Sequence, residues 1–275
     1  MRIFFSDLGL GLRTWLNAWS FIFSNGLAHY FIYPLVISIL LAMGAMTGID
    51  WLVDRTMDII APHLEYQPLS DTSWWAQLKM FFASLSEGAI KFLLWIFALF
   101  LYWKLGKYLV LMVMSPIMAL LSERTDKILT GENYPFDGPQ FVRDVLRGVL
   151  LALRNIFMEL FSIIALWMIE TVIIFVMPPL ALLLAPVFLI LSFAIGAYFF
   201  GFSTIDYTNE RQRLKIGESV KSIRSMKGVA VGNGAMFSLF FMIPFVGTTI
   251  ATVTCTVAAT LALHERRDSM NNMKS

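Results

Sequence analysis

Four groups of polar residues could do chemistry in this chain, and each lies beside or inside an apolar run. Asn25, Gly26 and His29 precede or open an uncharged helix, where backbone amides and the helix dipole favour an anion. The plainer role is a capping asparagine and an interfacial histidine. Lys104 and Lys107, three apart on one helical face, either line an aqueous path or snorkel to the headgroups along their aliphatic stems. Glu159 has Arg154 within reach, whereas Glu170 lies deeper and needs a partner, water or a proton. That makes Glu170 a candidate for a pore or for proton coupling, or else a protonated structural carboxyl between subunits. The fourth group is NERQRLKIGESVKSIRSMK at 209–227. It sets Ile216, Val220 and Ile223 in an apolar stripe among basic residues, as in a helix on anionic lipid or an electropositive vestibule.

Composition excludes other classes of chemistry. Hydrophobic residues make up 58% of the chain and charged residues 15%, with a mean hydropathy of +0.71, against about 25% charged residues in a soluble domain. The net charge of +2 makes no case for nucleic acid. The single Cys255 and three scattered histidines, His29, His63 and His264, form no zinc pattern. No Walker loop, HExxH or GxSxG is present, so no enzyme is expected, no cofactor is implied, and flux follows a gradient or a proton. The first residues show no signal-peptide pattern.

The elements that must hold these residues are helices in a membrane, in one domain over 1–275. Residues 3–24 place Phe4, Leu8, Trp15, Leu16, Trp19 and Phe23 on one face, which predicts an amphipathic interfacial helix. Residues 30–49 are uncharged and long enough for a first span, with Pro34 in its opening turns. A polar extracytoplasmic segment follows over 50–89. A second long span covers 90–121 and exceeds one core thickness, so it tilts or projects. Residues 156–205 and 228–263 are each too long for a single crossing. Prolines 178, 179 and 186 break the first, and Pro244 with Gly247 breaks the second. Each reads as a helical hairpin that enters and returns.

Charge gives orientation. Segment 50–89 has two basic residues against six acidic ones, whereas 122–155 and 206–227 hold five and six basic residues. The lysine and arginine bias marks the last two segments, and both termini, as cytoplasmic. Half-penetrating hairpins and full pairs of spans both satisfy this count.

Several stretches together resemble the CysZ sulfate permease family, the bacterial branch of the etoposide-induced membrane protein domain family. They are AWSFIFSNG at 18–26, YPLVISILL at 33–41, SPIMALLSERTDKILTG at 115–131, IDY at 205–207 and MFSLFFMIPFVG at 236–247. The resemblance implies an all-α integral membrane protein with two long spanning helices and two hairpins that only half penetrate the bilayer. It also implies a homo-oligomer among membrane lipids in the bacterial inner membrane, taking up sulfate for cysteine synthesis.

The chain departs from the family pattern at three places. Gly26, Leu27, Ala28 and His29 stand where the family reads Gly-Leu-Arg-Arg, a motif tied to sulfate binding. Thr208 replaces the proline of Asp-Tyr-Pro, and TTIATVTCTVAAT fills 248–260. The leading expectation is therefore a channel or gradient-driven permease for sulfate or a related small oxyanion. The alternative is a non-transporting scaffold whose half-inserted hairpins shape the membrane.

Overall fold

The computed structural model describes residues 2–64, 74–132, 138–243 and 246–272, and every element among them is helical. In order these are α1 (Arg2–Ser24), a 3₁₀ turn (Leu27–Phe31), α2 (Ile32–Leu64), α3 (Trp74–Thr130), α4 (Gly138–Val176), α5 (Pro178–Arg211), α6 (Ile216–Arg224), α7 (Lys227–Phe241) and α8 (Val246–Asn272). Stretches Leu27–Ile60, Tyr108–Thr130, Leu146–Val176, Pro178–Arg211 and Val246–Ser269 are each long and apolar enough to cross a membrane. The chain is an all-α, multi-pass membrane protein.

Two compact units divide the chain, one of residues 39–107 and the other of 1–38 with 108–275. In the smaller unit α2 and α3 pair through Ile49, Val53, Met57 and Ala98, against which Leu94, Trp95 and Tyr102 pack. Ile49, Val53 and Met57 recur every four residues, so α2 keeps a buried face after its outward side has turned polar. That periodicity carries the helix to Leu64, well into the segment 50–89 assigned above to polar surface chain. On the outward side Lys91 pairs with Asp54 at 2.7 Å, and the Trp95 indole N–H donates to Asp50 at 3.1 Å. Helix α3 starts at Trp74 and runs 57 residues, where about 20 suffice to cross.

The larger unit is organised around α7, which lies between α1 and α5. Glycines set the spacing. A Cβ on Gly228 would fall 2.3 Å from the Phe4 carbonyl oxygen and one on Gly232 would fall 2.6 Å from that of Leu8, both in α1. Towards α5, a Cβ on Gly201 would sit 1.8 Å from the Ala230 oxygen and one on Gly234 would sit 1.7 Å from the Ala197 oxygen. Such backbone approaches are how helices associate in lipid, where no hydrophobic gain separates leucine from acyl chain. Gly11, Thr14, Trp15, Ala18 and Ile22 of α1 are buried, with the Trp15 ring 5.0 Å from that of Phe240. The buried face of α1 mixes small residues with Trp15 and Ile22 and packs on α7 and α8, while Leu16 and Phe23 of the expected stripe are exposed.

The first apolar block turns once, at Met177, with Pro178 and Pro179 opening α5. The expected break at Pro186 does not occur, because α5 continues through it. Neighbouring helices and small local adjustments let a membrane helix absorb the missing donor. Around the turn Phe175, Val176, Leu182 and Leu183 are among the most exposed residues of the chain, as lipid-facing side chains should be. The second block turns between Phe241 and Val246. Gly247 packs there so closely that a Cβ would meet the Phe240 oxygen at 1.7 Å, and Pro244 lies outside the described residues.

Candidate functional site

At the end of α5 the chain reads IDYTNER, and every residue from Phe199 to Arg211 is buried. Apolar helix flanks cover this segment, so its polar groups must satisfy one another. Asp206 accepts two hydrogen bonds from the Arg147 guanidinium, at 2.9 and 2.8 Å. This is the bidentate fork that arginine forms with a carboxylate. The Arg147 Nε donates to the Leu214 carbonyl at 3.1 Å, and Glu210 stands 3.5 Å from the same guanidinium. The Ser219 hydroxyl of α6 donates to Asp206 and accepts from Asn209 Nδ2 at 2.9 Å.

One turn along, Arg211 donates to the Ser122 carbonyl at 2.7 Å and pairs with Asp126 of α3 at 3.4 Å. Ser122, Thr208 and Thr260 form a closed ring of hydroxyls with edges of 3.1, 3.0 and 3.3 Å. Asn233 of α7 donates to Thr204 and to the Cys255 carbonyl, each at 2.9 Å, and the Tyr207 hydroxyl donates to the Leu111 carbonyl at 2.9 Å. Separate sets of hydrogen bonds, joined through the backbone of α5, therefore tie α3, α4, α5, α6, α7 and α8. Their charges nearly cancel, with Asp126, Asp206 and Glu210 against Arg147 and Arg211. As arranged, the Arg147 fork is taken, and an incoming oxyanion would have to displace Asp206.

The expected site residues lie elsewhere. Asn25, Gly26 and His29 meet in the single turn between α1 and α2. Asn25 Nδ2 donates to the Phe21 carbonyl at 2.9 Å, closing the end of α1. Gly26 takes φ 69°, the left-handed conformation that suits glycine. His29 is exposed, with Nδ1 3.0 Å from the Gly26 oxygen and its ring 4.5 Å from Tyr30. Glu170 is half-buried within the last two turns of α4, away from Arg147 near that helix's start. Glu159 is buried, facing Gly196 of α5. Lys104 and Lys107 lie on α3, and their side chains are outside the described residues. The stripe of Ile216, Val220 and Ile223 faces protein, not lipid, packing with Leu151, Phe202 and Ile205.

Sequence reasoning missed Asp126, Arg147, Asp206, Glu210 and Arg211. A signal existed in the four-residue spacing of Asp206 and Glu210 at the end of an uncharged run, which puts both carboxylates on one helical face. Among the described residues no group of three or more His, Cys, Asp or Glu is placed to hold a metal.

A family model described as sulfate transporter CysZ/etoposide-induced protein 2.4 matches residues 14–250. The chain belongs to this family. The match takes in the second half of α1, everything from α2 to α7 and the first residues of α8, with Asp126, Arg147, Asp206, Glu210 and Arg211 inside it. A relative named sulfate transporter CysZ, from Pectobacterium atrosepticum, is 24% identical over 244 residues, covering 88% of this chain and 80% of its own. The family match thus covers the charged residues of the buried cluster, though not Cys255 and Thr260 of α8.

Proposed function

We propose that the chain is a channel or gradient-driven permease that carries sulfate, or a related small oxyanion, across the bacterial inner membrane for cysteine synthesis. The family match over 14–250 carries this reading, and the printed name of the 24%-identical relative supports sulfate as the ion. The lysine and arginine bias supports cytoplasmic termini. Oligomeric assembly follows the family resemblance. At the turn before α2, Asn25, Gly26 and His29 are the proposed anion approach, with His29 exposed.

The hairpins differ in what their lengths support. Helix α7 has 15 residues, about 22 Å at 1.5 Å per residue, short of a hydrocarbon core of about 30 Å. A hairpin with that arm enters and returns. The arms of α4 and α5 are long enough to cross, so a half-penetrating first hairpin would have to lie tilted.

Uptake of labelled sulfate by proteoliposomes of the purified protein tests the proposal. Uptake above protein-free vesicles, saturable and competed by other oxyanions, is expected. Uptake equal to empty vesicles for sulfate and other oxyanions favours the membrane-shaping alternative, in which α7 and α8 act as a wedge in one leaflet.

A further inference from the structure

Beside the ion cluster, the ends of α5, α6 and α8 line one cleft of about 230 Å³, below the roughly 300–1,000 Å³ of a drug-sized site. Asn209 and Gln212 line it from the end of α5, Ser222 from α6, and Arg266 and Arg267 from α8. No carboxylate is among its lining residues. Arg266 is fixed from outside the cleft, by Asp7 of α1 at 3.0 Å and by the Ser225 carbonyl at 3.0 Å. Arg267 is exposed and has no ion-pair partner among the described residues. Asp268, next to it in the chain, pairs instead with His264 at 3.3 Å. The cleft therefore holds positive charge that its own walls do not cancel.

Two amides in those walls are incompletely bonded. Asn209 is 1% exposed, and its Nδ2 donates to Ser219 Oγ at 2.9 Å. Ser219 gives its own proton to Asp206, so its oxygen can only accept from Asn209. That hydrogen-bond order fixes which way the Asn209 amide faces. It also leaves Oδ1 as a buried acceptor with no hydrogen bond, while Gln212 Nε2 is a buried donor with none. Buried polar groups of this kind are nearly always met by a partner. A ligand that meets both must bring negative charge for the guanidinium groups, an acceptor for Gln212 and a donor for Asn209. Sulfate brings the first two and carries no proton at neutral pH. Hydrogen phosphate, of the same tetrahedral shape, brings all three, and the Ser222 hydroxyl adds a further donor to its oxygens.

We propose that this cleft seats a small oxyanion that keeps a proton, of the hydrogen-phosphate class, and discriminates against sulfate. The assignment does not rest on the permease reading, and absent sulfate uptake would leave it standing. The test is calorimetry at pH 7 with inorganic phosphate, alone and with sulfate as competitor, on purified wild type, Arg267→Gln and Gln212→Leu. Circular dichroism checks the fold. Arg267 is exposed and unpaired, and Gln212→Leu removes an unmet donor, so both variants should fold. Wild type should bind phosphate, and each variant should bind it about tenfold more weakly, the loss expected for one charge-assisted hydrogen bond. Sulfate should displace phosphate at least about tenfold less well than phosphate itself, because its oxygen would face the Asn209 oxygen with no proton between them. No phosphate binding by wild type, unchanged affinity in either folded variant, or sulfate competing as well as phosphate overturns the proposal.

Discussion

Removing one partner from a buried ion pair strands the other, and that asymmetry makes Asp206 the most sensitive residue of the network. Arg147 and Asp206 side chains retain only 13% and 3% exposure. Asp206→Asn takes the bidentate partner from the Arg147 guanidinium and leaves it Glu210 alone at 3.5 Å, for an expected loss at the lower end of about 3–5 kcal/mol. Thermal unfolding in detergent should show a clearly lower Tm, and an apolar replacement of both partners should recover most of the loss. An unchanged Tm for Asp206→Asn would mean that the pair does not hold the helices. At the α1–α2 turn the expectation concerns binding. An arginine there would supply the fixed charge and fork that histidine lacks, so His29→Arg should lower the sulfate half-saturation concentration several-fold. Identical flux in His29→Arg and His29→Ala would leave His29 as an interfacial side chain.

Among the helices, α7 carries the most demanding contacts. Gly201→Val and Gly234→Val each force side-chain atoms into a backbone carbonyl that would lie within 1.8 Å of the first carbon added. Overpacking of this kind costs typically about 1–3 kcal/mol, occasionally more, and backbone cannot swing aside as a side chain can. Both variants should yield less folded protein on size-exclusion chromatography, whereas Gly9→Val, with open space at its Cβ, should behave as wild type. Normal yield of Gly234→Val would contradict the close α5–α7 approach.

Topology is tested on the turns. In a Cys255→Ala background, cysteines at Met177 and Met242 should resist an impermeant thiol reagent added outside, and one at the exposed Asp58 should react. Strong outside labelling at Met177 would place the first hairpin fully across the membrane.

The sequence displayed the apolar blocks and the Pro178–Pro179 turn because length and proline are local signals. It hid the extent of α2 and α3, because their helical faces persist where average hydropathy falls. It hid how α1 packs as well, since its buried face sets Gly11, Thr14 and Ala18 beside Trp15 and Ile22 instead of following the aromatic stripe. The ion cluster was illegible for a related reason. Arg147 and Asp206 are 59 residues apart, and only the fold of α4 against α5 shows that they meet.

At the scale of the larger unit, polar groups are buried at two places, along the Thr248–Thr260 face of α8 and around Arg147 and Asp206. On that face Thr252, Thr256 and Thr260 each donate to the carbonyl four residues back, at 2.7, 2.7 and 3.1 Å. Their lone pairs are thus presented rather than their protons. Such a face serves helix packing better than capture of an anion, which needs donors. In the proposed permease an oxyanion would be recruited by guanidinium and backbone N–H groups. The measurement that tests the central claim most directly is labelled-sulfate uptake into proteoliposomes, with empty vesicles and Asp206→Asn vesicles alongside. The account predicts saturable uptake by wild type well above empty vesicles, together with a marked loss in Asp206→Asn. Wild-type uptake no greater than that of empty vesicles, for sulfate and for competing oxyanions alike, would contradict it.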